Sequence, residues 1–503
     1  MPSYRRKCYY AGMAKGFEKW LQNHSQCKRI LNHPPPDDPA YLSDVAHTKR
    51  FLECFVADEA FRGMLQSDIP AAVARYGLKS DPESLRPLWD KDWKPLGADE
   101  KPVPISDSVR RFRTFMLEKL TWRDRVRDQD AVPRSRAFAR WRDRQVNRTE
   151  HEMGPESGRC NVHSGFSVEL SKGCSVGCWF CGLSSDRKES DFLYTPEHAA
   201  LWHDVLHVAR EVIGPAARTG FCYWATDPLD NPDDEKLCAD FARILGRFPQ
   251  TTTAQPLKYV ARMKALHQLS RRMGGSIDRF SVLSLSQFRQ ILEQFTAEEL
   301  LYVELLTQNM EANSMLSNCG RAAGSRRLQQ KAERLHVTLD PSNTGTIACL
   351  SGFKLNMVDQ SVMLVTPCRA CPQWPNGYWL LEEARFKDGP DLKRVMKGMI
   401  KRHMPTTLRH CDPVAFRPDI ECRVEAGDGV ALLSDRATTR FKARPWLCET
   451  TAWIVRGDRC AADIAVGMDD QHGVPMEETF NLLNDLFQWG YLNEEPVFFG
   501  CKH

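Results

Sequence analysis

Three cysteines, Cys174, Cys178 and Cys181, are spaced four and three residues apart in the stretch Cys174-Ser-Val-Gly-Cys178-Trp-Phe-Cys181. A [4Fe–4S] cluster ordinarily takes four such thiolates. Three ligands on one loop leave one iron open, and an open metal position is where a substrate or cosubstrate binds. A structural zinc site asks for a second ligand pair at short range, and none lies near the triad. Gly173 and Gly177 allow the loop to wrap closely around a cluster. The stretch Phe166-Ser-Val-Glu-Leu170, apolar at every second position, precedes the loop. Read as a strand, it places the triad at a strand's C-terminal end, where barrel active sites are built.

The elements that must position this loop follow from the whole chain. Its 503 residues predict two or three domains. Apolar residues at 42% and charged residues at 27% are an ordinary globular balance, and a net charge of +4 argues against a nucleic-acid partner. Eighteen cysteines in a chain with no visible signal peptide or membrane span point to reduced thiols in a cytoplasm.

Residues 1–150 read as helical. Within 110–148, dense arginine suggests amphipathic helices with a solvated basic face, or a surface for an acidic peptide or a cofactor carboxylate. From 160 to 385 short apolar strands alternate with helices, the pattern of an α/β barrel. The predicted strands are Phe166–Leu170, Thr219–Trp224, Thr251–Ala254, Phe280–Leu283 and Leu301–Leu305, with helices at 196–213, 234–246, 257–273, 286–294 and 312–334. A hairpin pairs Thr346–Asn356 with Ser361–Val365. Residues 386–411 form a basic helical linker, and 412–495 read as a winged-helix module without a basic recognition helix.

The triad, with the aromatic Phe180 before its third cysteine, resembles the radical S-adenosylmethionine (SAM) motif. That resemblance implies a partial (β/α)6 TIM-like barrel, with SAM chelating the open iron and being cleaved to a 5′-deoxyadenosyl radical. Trp224-Ala225-Thr226-Asp227-Pro228 stands where the superfamily has Gly-Gly-Glu-Pro, so Ala225, Thr226 and Asp227 are expected at the SAM amino group. Ser281 or Ser284 is expected near the ribose, and Gln308 and Asn309 on the adenine or methionine side.

Longer stretches are similar to the peptide epimerases of the proteusin (polytheonamide) type. These are Phe166–Cys174, Tyr223–Asn231, Arg279–Ser284 and Pro367-Cys368…Trp374-Pro-Asn-Gly-Tyr378. The resemblance implies conversion of L- to D-residues in a ribosomally made precursor peptide. A helical segment at about 45–90 looks like a Nif11-type leader region, and 412–495 resembles a RiPP recognition element. Such a module adds the leader as a strand to an exposed sheet edge, expected near Gly429–Leu433 with the third helix as the other wall.

Inverting an α-carbon needs a hydrogen atom returned to the face opposite its removal. A thiol suits that step, and the candidates are Cys368 first, then Cys371 and Cys349. An external donor such as flavodoxin or ferredoxin would supply electrons. Two rivals remain. One is a crosslinking radical SAM enzyme with an auxiliary cluster on Cys368, Cys371, Cys411 and Cys422. The other is a leader-binding scaffold with a vestigial cluster.

Overall fold

Three successive aspartates start the N-terminal helices of the computed structural model, which describes residues 14–31, 34–96, 103–339, 344–425, 427, 429–442, 444 and 446–496. Asp38 caps α1 (Pro39–Ala57) by accepting from Tyr41 N, Asp58 caps α2 (Glu59–Ser67) through Ala60 N, and Asp68 caps α3 (Ile69–Arg75) through Ala71 N. Each satisfies an N–H that a helix start leaves orphaned. Phe51, Phe61, Leu65 and Ala72 from these helices share one continuous core with Phe166, Val168, Phe280 and Val282. The region that reads as Nif11-like is therefore a cap fused to the central sheets.

The arginine-rich stretch is a correction. It forms α4 (Asp107–Arg125) and α5 (Arg136–Cys160), but Arg127, Arg142, Arg144 and Arg148 are buried, not spread on a solvated face. Each is paired internally, as a buried cation must be. Arg127 grips Asp128 through two bonds of 2.7 Å. Arg142 donates to the carbonyls of His163 and Val162 at 2.7 and 2.8 Å, stapling α5 to the chain entering β1 (Ser164–Glu169).

The fold is mixed α/β. β1 is buried at all six positions, as a strand covered on both faces should be. A two-stranded ribbon, β2 (Ser171–Lys172) with β3 (Ser190–Asp191), brackets the cysteine loop. The helix α6 (Pro196–Val212) begins at the Thr195 cap with Pro196 at its first position. α7 (Asp234–Leu245), β4 (Thr252–Thr253), α8 (Val260–Arg272), β5 (Asp278–Val282), α9 (Leu285–Gln294) and β6 (Val303–Thr307) follow in the expected alternation, and β4, β5 and β6 pair in parallel.

Two expectations in this region fail. Thr219–Trp224 is not a strand: a 3-10 turn over Gly214–Thr219 leads to a lone pairing of Phe221 with Ser167. Side chains of β1 satisfy the backbone there instead, with Ser167 Oγ donating to Tyr223 O and Glu169 Oε1 accepting from Ala225 N, both at 2.9 Å. The helix expected over 312–334 begins only at the Ser325 cap, giving α10 (Arg326–Arg334). The residues before it make loop contacts, among them Arg321 N to Cys181 O at 3.0 Å.

The hairpin forms as expected from β7 (Leu350–Asn356) and β8 (Ser361–Pro367), and an unexpected third strand, β9 (Tyr378–Arg385), extends it. β7 also pairs with β1 in parallel, so the order is β1-β7-β8-β9. No closed barrel is present among the described residues. α11 (Gly389–His403) is the linker helix.

The C-terminal module has its own core around Val430, Leu432, Trp453, Ile464 and Leu483. Its antiparallel sheet, β10 (Glu421–Glu425), β11 (Gly429–Ser434) and β12 (Ala437–Phe441), precedes α12 (Leu447–Arg456), α13 (Ala461–His472) and α14 (Met476–Gln488). The module docks on α5. Arg144 holds Glu494 at 2.8 and 2.9 Å, Asn147 Nδ2 donates to Gln488 O, and His151 stacks on Tyr491. Among the described residues no helix is long and apolar enough to cross a membrane.

Candidate functional site

The cysteine loop leaves β1 through β2 and is held from three sides. Gly173 sits at φ 72°, and a Cβ there would lie 2.1 Å from Arg187 O, so only glycine fits the approach of the two ribbon strands. From the second side, Asp230 accepts from Ser175 N at 2.8 Å and Ser175 Oγ at 2.5 Å, and also from Gln255 Nε2 at 3.0 Å. From the third, Arg321 donates to the carbonyls of Cys178 and Ser185. Asp230 and Arg321 were not singled out from the sequence. Asp230 does lie within the quoted Tyr223–Asn231 stretch, but nothing in its spacing marks it.

Cys174, Cys178 and Cys181 line one cavity of about 310 Å³ together with Phe180, Ala225, Thr226, Asp227, Ser281, Gln308 and Cys349. Of the other expected residues, Ser284 caps α9 by accepting from Gln287 N, and Asn309 is buried with its amide donating to Ala57 O. Both play structural parts outside the cavity.

Asp227 is nearly saturated. It accepts from Thr253 Oγ1 at 2.7 Å, Ala254 N at 2.8 Å and Leu229 N at 3.0 Å. A carboxylate offers about four lone-pair sites, so roughly one remains for a ligand amine. Burial raises its pKa against these bonds. Glu169 places the neighbouring Ala225 and is itself held by Lys354 and Asn356, each at 3.0 Å. On the cavity wall, Arg279 is balanced by Glu304 at 3.2 Å. Despite its burial, Glu304 is held down to about 2 by Lys119 and Arg279.

The donor set fits an iron–sulfur cluster. Burial raises the Cys174 thiol, and burial together with Cys174 and Cys181 pushes Cys178 up to about 12. Thiols so placed resist ionisation until a metal takes the proton's place. Among the described residues no three His, Cys, Asp or Glu side chains converge on a single-ion site. In a [4Fe–4S] cluster each cysteine binds a different iron, so its ligands line a cavity without meeting at a point. Gly177, at φ 64° with nothing within 4 Å of a built Cβ, leaves the loop open on its outer face. The Gln308 Oε1 atom is buried without a partner, an acceptor available to an amine.

The hydrogen-donor candidates separate cleanly. Cys349 stands in the cavity wall, and burial pushes its thiol up to about 11, against the pull of Arg279. Cys368 does not line the cavity. It is 3% exposed, packed with Trp374 and Trp379, and raised by burial and by Glu152. The expectation of a barrel-mouth position fails. The end of β8 and the start of β7 both lie level with the start of β1; what separates the two thiols is their surroundings, since Cys368 packs against Trp374 and Trp379 on the edge-strand side while Cys349 lines the cavity. Cys371 is exposed and outside the cavity.

A second, larger cavity of about 650 Å³ lies in the C-terminal module, between β12 and α14. Thr439, Phe441, Trp446, Leu482 and Trp489 line it, and Glu150, His151 and Arg159 of α5 close one side. The expected edge at Gly429–Leu433 is corrected here. β11 is the central strand of its sheet, paired on both sides, and the edge facing the groove is β12. α14, the third helix of the module, forms the other wall of this cavity.

No known family profile matches the chain, and no solved structure does. It is 35% identical over 477 residues to the uncharacterized protein y4wI of Sinorhizobium fredii (strain NBRC 101917 / NGR234), covering 93% of this chain and 90% of that protein. With identity sustained along nearly the full length of both, the chain belongs to the same family as y4wI.

Proposed function

We propose that this chain is a radical SAM enzyme that converts L- to D-residues in a ribosomally made precursor peptide. The observation that carries the proposal is the shared cavity. The three cysteines, the Ala225–Asp227 loop, Ser281, Gln308 and a separate thiol, Cys349, line one space. The alternation of β4, β5 and β6 with helices supports a partial (β/α)6 arrangement.

When bound, a reduced [4Fe–4S] cluster would supply, with SAM as cosubstrate, a 5′-deoxyadenosyl radical. Cys174, Cys178 and Cys181 would hold that cluster. The spare lone pair of Asp227 and the free Gln308 Oε1 would orient SAM. The apolar wall of the cavity excludes water from a peptide Cα that has lost its hydrogen atom. A thiol on another element then gives S–H hydrogen to the opposite face, and the sulfur left behind takes one electron and one proton from an external donor such as flavodoxin or ferredoxin. The family-like segment points to Cys368 for this step; the cavity wall favours Cys349, whose thiol burial pushes up to about 11.

The precursor's leader would bind in the C-terminal groove, extending β12 as an added strand, with Leu482 and Trp489 as its apolar floor. Two measurements test the reading. Reduced, reconstituted protein should hold about four irons per chain and release 5′-deoxyadenosine from SAM. Precursor co-expressed in heavy water should carry deuterium at Cα of each D-residue. An absence of 5′-deoxyadenosine would sink the proposal.

A further inference from the structure

One donor in the cavity is unexplained. Trp224 is 7% exposed, lines the cavity, and its Nε1–H is buried without an acceptor. Buried polar groups in native proteins are almost always bonded, so each exception asks for a reason. An indole N–H is a donor only; no protein acceptor among the described residues completes it, and it lies on the cavity where a ligand could.

The surroundings say which ligand. Trp224 packs in the same apolar cluster as Cys349 and Tyr378. Apolar side chains, Phe221, Leu306, Leu316 and Ile347 among them, make up much of the wall. Only two charged residues line it among the described ones: Arg279, balanced by Glu304, and Asp227, whose three hydrogen bonds leave one lone pair, the one assigned above to SAM. A cationic side chain entering here would find no free anion, and burying an unpaired charge is strongly unfavourable.

We infer that Trp224 Nε1–H donates to the backbone carbonyl of the residue being inverted, and that this residue is apolar. The inference rests on the epimerase reading and deepens it by naming the substrate side chain. A carbonyl held by Trp224 brings the adjoining Cα into the cluster of side chains that contains Cys349. The indole acts as a binding and orienting group, with no part in hydrogen transfer.

The test reads the indole directly. Full-length protein with 15N-labelled tryptophan is compared with Trp224→Phe, or Trp224→Tyr should the first not fold, to assign the Trp224 signal. N-acetyl-L-valine N-methylamide is then added as a minimal peptide probe. The expected result is a downfield shift of that signal with the valine diamide and none with the lysine diamide. A signal that ignores the valine diamide, that moves with SAM alone, or that responds equally to lysine overturns the inference. Release of 5′-deoxyadenosine by the same preparation reports separately on the radical reading, so the two failures are told apart.

Discussion

The Asp230 carboxylate takes two hydrogen bonds from one residue of the cysteine loop, Ser175, through its backbone N at 2.8 Å and its Oγ at 2.5 Å. The tie runs from the loop after β2 to the 3-10 turn Pro228–Asp230. It fixes the backbone between Cys174 and Cys178 without spending a thiol on the task.

Asp230→Ala should therefore loosen the loop. It removes the acceptor shared by the exposed Ser175 and the half-buried Gln255, at a cost of about 0.5–1.5 kcal/mol per hydrogen bond. The expected outcome is a melting temperature lower by a few degrees and a clear loss of iron after gel filtration. Retention of wild-type iron content would show that the cysteines alone hold the loop.

Cys349→Ala and Cys368→Ala separate the two donor assignments. The position of Cys349 predicts that its replacement keeps 5′-deoxyadenosine release but lowers D-residue formation by about a hundredfold or more, the pattern for a group used only in the later step. Cys368→Ala should retain most inversion. The reverse result, read by chiral amino-acid analysis of the peptide, would move the donor to Cys368 and require the end of β8 to reorganise on substrate binding.

Leu482→Glu places a charge on the apolar wall of the C-terminal groove. Leader binding, followed by fluorescence anisotropy, should weaken by about tenfold or more, as for loss of a buried apolar anchor. Peptide-independent 5′-deoxyadenosine release should not change. Equal loss of both would mean that the substitution unfolds the module.

Asp234 gives the stability a pH dependence. It is fully buried at the start of α7, its Oδ1 has no partner, and burial raises its pKa to about 8. The folded state thus holds a proton that the unfolded carboxylate, with its ordinary value of 3.8, gives up. Its contribution is complete below about pH 4 and is lost as the pH rises towards 8. Asp234→Asn should flatten the melting temperature across that window and make the variant the more stable protein at pH 8. A parallel fall in both proteins would assign the effect to another group.

Local signals in the sequence were readable wherever one element settled its own structure. The alternation of short strand-like segments with helical stretches marked β1, β5 and α6. The misses needed a second element. Thr219–Trp224 has strand composition, yet the Ser167 and Glu169 side chains supply the bonds that a ladder would have made. The arginines of α5 look solvated until Glu494 and the carbonyls before β1 arrive from distant parts of the chain. β12 escaped notice because its turn, Ser434-Asp435-Arg436-Ala437, contains neither glycine nor proline, and without it the central β11 passes for an edge. The same limit governs the site: the triad is contiguous and legible, whereas the place of Cys349 depends on which way β7 runs beside β1.

The grip of α5 on the C-terminal module bears on how this chain could be rebuilt. Arg140, Arg144, Asn147 and His151 reach the segment from Gln488 to Glu494, and Glu150 and His151, with Arg159 beyond the kink at Gly154, wall the groove. Grafting residues 412–495 onto another enzyme would strand those donors and leave the groove short of a side. A chimaera meant to accept a foreign leader should carry α5 with it, or keep both and exchange only the residues of β12 and α14 that face the peptide.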